Sequence, residues 1–137
     1  MVVFEKLIEI KTSKPIELID ITYEVEKAVH ESKIKEGICL VFVPHATAAV
    51  ITNEFEPYLI EDVLKKISED FPKNFDWKHN TIDDNAHAHL ASIFLGSSKS
   101  FPISKGKLLR GTWQQIIFVE LDGPRRYRTV IIKIVGE

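Results

Sequence analysis

The chain has 137 residues, 45% hydrophobic and 28% charged, with six glycines and six prolines, which describes one globular domain over 1–137 and excludes a disordered, fibrous or low-complexity protein. Twenty acidic against 18 basic side chains give a formal charge of −2, so no overall positive field draws in nucleic acid and none is expected as a partner. No apolar run approaches the roughly 18 residues of a membrane span, and Met1-Val2-Val3-Phe4-Glu5-Lys6 lacks the regions of a secretory leader; the expectation is a cytoplasmic protein with no membrane partner.

In chain order, 4–11 alternates in part and predicts a half-buried strand ended by Thr12-Ser13-Lys14-Pro15. Asp20 then caps a helix with Ile21, Val25, Ala28 and Val29 on one face to about Lys33, and Gly37 follows as the break. The continuous apolar run 38–43 predicts a central strand buried on both faces, with Cys39 inside it as a structural thiol. A helix from Pro57 turns Tyr58, Leu59, Val63, Leu64 and Ile67 inward and closes at Phe71-Pro72. A polar loop to Asp84 precedes a third helix, 85–95, with an apolar stripe of Ala86, Leu90, Ile93 and Phe94. Short strands at 101–103 and 107–110 lead to strands 114–122 and 126–135, joined at Asp122-Gly123-Pro124 as a long C-terminal β-hairpin. The order of elements predicts an α+β fold: mostly antiparallel sheet with about three helices.

Four polar groups stand out: Pro44-His45-Ala46-Thr47 with Asn53-Glu54, Asn85-Ala86-His87-Ala88-His89, Gly111-Thr112-Trp113-Gln114, and Glu120-Leu121-Asp122-Gly123-Pro124-Arg125-Arg126. None is a phosphate-binding loop, a dinucleotide fingerprint or a zincin motif. His45 leaves a buried strand and is either a catalytic or metal-binding group or a satisfied structural one. His87 and His89 would share a side on a strand, but on a helix they stand roughly 200° apart, so they serve different places, one of them facing a pocket with His45. A metal site drawn from His45, His87 and His89, with Glu54, Asn85 or Asp122 near, would be of the open catalytic kind for Zn²⁺. Alternation puts Glu120 and Asp122 on one strand face, where they hold a divalent ion such as Mg²⁺ or pair with Arg125, Arg126 or Arg128 as a sheet rim.

Arg125 is the leading phosphate ligand, with Arg126 beside it, because a guanidinium meets phosphate oxygens two at a time. Thr47 and Thr112 offer hydroxyls, Asn85 and Gln114 complete the polar set, and Trp113 either stacks on a flat ring or packs in the core.

Together the four segments resemble the YjbQ family, also catalogued as secondary thiamine-phosphate synthases, over nearly the whole chain. The block Gly111-Thr112-Trp113-Gln114, followed by Glu120, Asp122 and Arg125-Arg126, carries that resemblance, with departures at Arg110 and Ala46. The resemblance implies a homotrimer with the histidine and Glu/Arg blocks converging on a pocket near the subunit boundary. It also implies, as a secondary activity, joining of an aminopyrimidine diphosphate to a thiazole phosphate with release of pyrophosphate. In that reaction His45, His87, His89 and Glu120 would be catalytic, and a small phosphorylated metabolite would be the partner. A metal- and histidine-dependent hydrolase of such a metabolite, or a trimer that only binds a small anion or metal, fits the same residues. An RNA-binding role motivated by Lys105, Lys107, Arg110, Arg125, Arg126 and Arg128 is disfavoured by the net charge.

Overall fold

A computed structural model describes residues 1–137. The order is β1 (Val2–Ile10), β2 (Glu17–Asp20), α1 (Thr22–Ser32), β3 (Gly37–Phe42), β4 (Ala48–Asn53), α2 (Pro57–Asp70), a 3-10 turn at Lys78–Thr81, α3 (Ala86–Leu95), β5 (Ser98–Ser104), β6 (Lys107–Leu108), β7 (Gln115–Glu120) and β8 (Arg128–Gly136). The fold is α+β, with every strand pair antiparallel.

The strands form two sheets, one in the order β1-β8-β3-β5-β6 and one in the order β2-β7-β4. Strands β7 and β8 therefore do not form the expected C-terminal hairpin. The chain leaves the small sheet at Glu120 and enters the large one at Arg128, and Gly123 makes that crossing: a Cβ there would lie 2.2 Å from the Lys14 carbonyl oxygen. Strands β2 and β4 were not anticipated. β2 is only four residues long, and β4 directly follows the His45 loop with no turn residue to announce it.

β7 explains the layering. Ile116 and Phe118 enter a core between the two sheets with Val25, Ala28 and Val29 of α1, while Ile117, Val119 and Leu121 enter a second core against α2 and α3. Removing a fully buried side chain such as Phe118 from water contributes about 2–3 kcal/mol. β3, expected to be buried on both faces, is buried on one only: Cys39 and Val41 point inward, while Ile38, Leu40 and Phe42 are 60%, 38% and 37% exposed. They share the outer face of the large sheet with Val3, Leu7, Ile131 and Val135.

The helix ends follow local chemistry. Asp20 accepts the Thr22 N–H at 2.9 Å from one position ahead of the α1 cap, and Glu56 accepts the N–H groups of Tyr58 and Leu59 at 3.0 and 2.7 Å to start α2. In α3 the inward face is Ala88, Ala91 and Ser92, not the expected stripe; Ile93 and Phe94 are mostly exposed. Small residues let α3 approach β4 closely, and the Ser92 hydroxyl donates to the Ala48 carbonyl at 2.8 Å. No helix is long and apolar enough to cross a membrane.

Candidate functional site

Seven of the polar segments' side chains, Glu120, Thr47, His45, Asp122, Asn85, Arg125 and His87, lie around the C-terminal end of β7, beginning with a buried ion pair. Glu120 has no solvent exposure and Arg128 is 3% exposed. Arg128 Nε donates to Glu120 Oε1 at 2.9 Å and Nη2 donates to Oε2. The carboxylate also accepts the Thr12 hydroxyl at 2.8 Å and the Asp122 N–H at 3.1 Å. Burial pushes the Glu120 carboxyl upward, but the bonds from Arg128, Asp122 and Thr12 outweigh it and hold the group below its usual range. Both oxygens of Glu120 are thus committed, which makes it an anchor between the two sheets and removes it from the expected catalytic set.

Thr47 belongs to the same anchor. Its hydroxyl and carbonyl oxygens accept from Arg128 Nη2 at 3.0 and 3.1 Å, which holds the side chain against the anchor. The neighbouring histidine is held differently. Nε2 of His45 accepts the Thr129 N–H at 2.9 Å, which puts the ring proton on Nδ1. Burial, and next the Arg128 charge, keep the His45 pKa below its ordinary value.

The next step along the chain supplies the polar rim. Asp122 Oδ2 accepts from Asn85 Nδ2 at 2.9 Å and from Arg125 Nη2 at 3.0 Å, and its carbonyl accepts from Arg125 Nε at 2.9 Å. Burial pushes Asp122 up, and the Asn85 and Arg125 bonds bring it net below its usual range. Arg125 is itself exposed, and its backbone is tied to Thr12: its N–H donates to the Thr12 hydroxyl at 2.8 Å.

His87 and His89 part company, because the segment is helical. His87 is buried beside Asp122 and lines a cavity with Lys73 and Leu121, its pKa lowered by burial and then by the Lys73 charge. His89 turns to the opposite flank, its ring 4.8 Å from that of His79. His89 therefore does not join His45.

Three other expected groups lie elsewhere. Arg126 lines a shallow depression with Glu9, Lys11 and Tyr127, apart from the residues around Asp122. Thr112, Trp113 and Gln114 sit at the opposite end of β7, roughly 17 Å along the strand from Glu120, where Thr112 and Trp113 line a depression with Asp20 and Glu54. Trp113 is 71% exposed, so it is not a core residue. Gln114 Oε1 accepts the Gly111 N–H at 3.0 Å and shapes its own turn. Of the proposed metal ligands His45, His87, His89, Glu54 and Asp122, only His87 and Asp122 share a cavity, and no three His, Cys, Asp or Glu side chains assemble as a metal cage within the chain.

Arg128 is the residue that sequence reading undervalued. Its signal was present, since an arginine in line with the buried Val130, Ile132 and Ile134 of its strand needs an acid to answer it.

The sequence profile of the family described as UPF0047 protein YjbQ-like matches residues 6–137. A UPF0047 protein of Archaeoglobus fulgidus is 43% identical over 89% of this chain and 94% of its own length. A crystal structure of a protein of unknown function from Sulfolobus solfataricus P2 superposes with a TM-score of 0.98 at 53% identity, covering 99% of both chains. A hypothetical protein from Aeropyrum pernix K1 gives 0.94 at 43% identity, over 97% of this chain and 98% of that one.

Proposed function

The chain belongs to the YjbQ-like UPF0047 family, and from there we propose that it acts on a small phosphorylated metabolite at the C-terminal end of β7, as a thiamine-phosphate-synthase-like transferase. The observation that carries this reading is the pairing of a tautomer-fixed His45, with its Nδ1–H free of the Thr129 bond, and an exposed Arg125 whose backbone is pinned to Thr12. The guanidinium binds phosphate oxygens and the imidazole N–H donates to the leaving oxygen. In the reaction, the bond from the pyrimidine methylene carbon to the diphosphate oxygen breaks and pyrophosphate departs with the electron pair. The thiazole nitrogen lone pair then forms the new C–N bond.

Arg128 contributes a fixed positive charge behind His45, and Glu120 neutralises enough of it to keep the pair stable in the interior. A divalent ion, Mg²⁺ or Zn²⁺, is assigned no step, because no three of its expected ligands come together. The test incubates purified protein with the aminopyrimidine diphosphate and the thiazole phosphate and follows thiamine phosphate and pyrophosphate by mass spectrometry. Arg125→Ala is expected to lower turnover by more than about tenfold with the fold intact. Pyrophosphate or phosphate released without coupled product marks a hydrolase instead, and no turnover at all overturns the enzyme reading.

We also infer a homotrimer in the cytoplasm. The outer face of the five-stranded sheet supports assembly, since Val3, Leu7, Ile38 and Leu40 leave apolar surface in water on one continuous sheet. The free, buried Cys39 is consistent with a reducing compartment.

A further inference from the structure

Between the start of β2, the C-terminal end of α2, the first turn of α3 and the end of β7 lies a cavity of about 360 Å³. Ile16, Phe71 and Leu121 give it apolar walls continuous with the second core. Ser68, Lys73 and Asn74 add polar side chains at the end of α2, and His87 and Asp122 enter from α3 and from the end of β7.

The hydrogen bonds around these two decide what each offers. His87 is 7% exposed, and its Nδ1 is buried with no partner. A buried N–H without an acceptor is costlier than a lone pair without a donor, so the ring proton belongs on Nε2. Asp122 receives both Asn85 and Arg125 on Oδ2, which leaves Oδ1 with its lone pairs unspent. His87 and Asp122 thus offer a neutral N–H donor and a carboxylate acceptor in one cavity, beside the apolar surface of Ile16, Phe71 and Leu121 and the polar side chains of Ser68, Lys73 and Asn74.

We propose that this cavity holds an amino-substituted nitrogen heterocycle, with His87 Nε2–H donating to a ring nitrogen and Asp122 Oδ1 accepting from the adjacent exocyclic amino group. Identification of that ring as the aminopyrimidine half of the diphosphate substrate rests on the transferase reading, whereas recognition of the edge does not. Arg125, bonded to the same Asp122, then places the phosphate-binding guanidinium next to the ring subsite.

The test is calorimetric titration of the full chain with 4-amino-2-methylpyrimidine, with 2-methylpyrimidine as the analogue lacking the amino group, and with adenine as a second carrier of the same edge. The amino compound is expected to bind at least about tenfold more tightly than its analogue, the scale of an unmet buried acceptor. Asp122→Asn and His87→Leu each abolish that preference, while His87→Gln, which keeps a neutral N–H donor, retains most of it. His87→Gln and Asp122→Asn are checked for native circular dichroism, so that a folding failure in His87→Leu leaves the outcome readable. Equal binding of the two pyrimidines, or a preference that survives Asp122→Asn, overturns the proposal. Tighter binding of adenine with the same Asp122 dependence supports the edge and makes the occupant a nucleobase. Because no turnover is read, an intact amino preference beside a failed synthase assay removes the transferase reading alone, and the reverse result removes the subsite alone.

Discussion

Glu120 and Arg128 are ionised inside the protein, and each is tolerable only because the other is there. Replacing Arg128 by Met strands a buried carboxylate, a change that costs about 3–5 kcal/mol. The double variant Glu120→Leu with Arg128→Met should recover most of that loss, as chemical denaturation will show; a double variant no more stable than the single one would mean that the pair is not the sheet anchor. The pair also sets an acid limit. The folded-state pKa of Glu120 lies below its ordinary 4.5, so its contribution is full above that value and is lost as pH falls through the lower folded value. His45 works in the same direction, since its folded pKa lies below the ordinary 6.5 and the ring must stay neutral to keep the Thr129 bond, which is lost as pH falls. The acid limb of turnover against pH should therefore fall below 6.5, and an acid limb above it would remove the neutral ring from the account. Of these residues, His45 and Arg125 could be singled out as candidates from the sequence because their types carry chemistry. For Glu120 the sequence left two readings open, a ligand-facing carboxylate or a partner of Arg125, Arg126 or Arg128, because alternation alone does not say whether a carboxylate at a strand end faces a ligand or a buried guanidinium; the pair with Arg128 is the one formed.

Among the elements, β7 does most to organise the site, because its two faces feed two cores and its two ends carry two polar segments. Alternation in the sequence separated Ile116 and Phe118 from Ile117 and Val119 correctly, and both sets are buried. The partner of β7 was not legible, since sheet membership depends on non-local pairing, and an Asp-Gly-Pro sequence closes a hairpin or a crossing between sheets equally well. Gly123→Ala tests the crossing. Its Cβ would collide with the Lys14 carbonyl and with Glu120, so a loss of at least about 2 kcal/mol is expected, read as a lowered denaturation midpoint; unchanged stability would mean that the crossing is loosely held. For α3, alanines rather than large residues mark the buried face, a pattern that a search for apolar side chains passes over.

At the scale of the molecule, the large sheet turns one face to the core and leaves the other apolar in water. A Leu40→Lys substitution places a charge in the middle of that outer face, beside the exposed Lys133–Glu5 ion pair at 3.1 Å. Light scattering coupled to gel filtration should find three chains per particle in the wild type and one in the variant; a wild-type monomer would contradict the inferred assembly. The single domain and the α+β class were legible from length and the order of elements, whereas the split into two sheets was not. The most direct test of the functional account is titration with inorganic pyrophosphate, compared among wild type, Arg125→Ala, Arg126→Ala and Trp113→Ala. The account predicts that Arg125→Ala weakens binding by about tenfold or more and that the other two leave it nearly unchanged. Binding that survives Arg125→Ala and collapses with Arg126→Ala or Trp113→Ala would place the phosphate site elsewhere and contradict it.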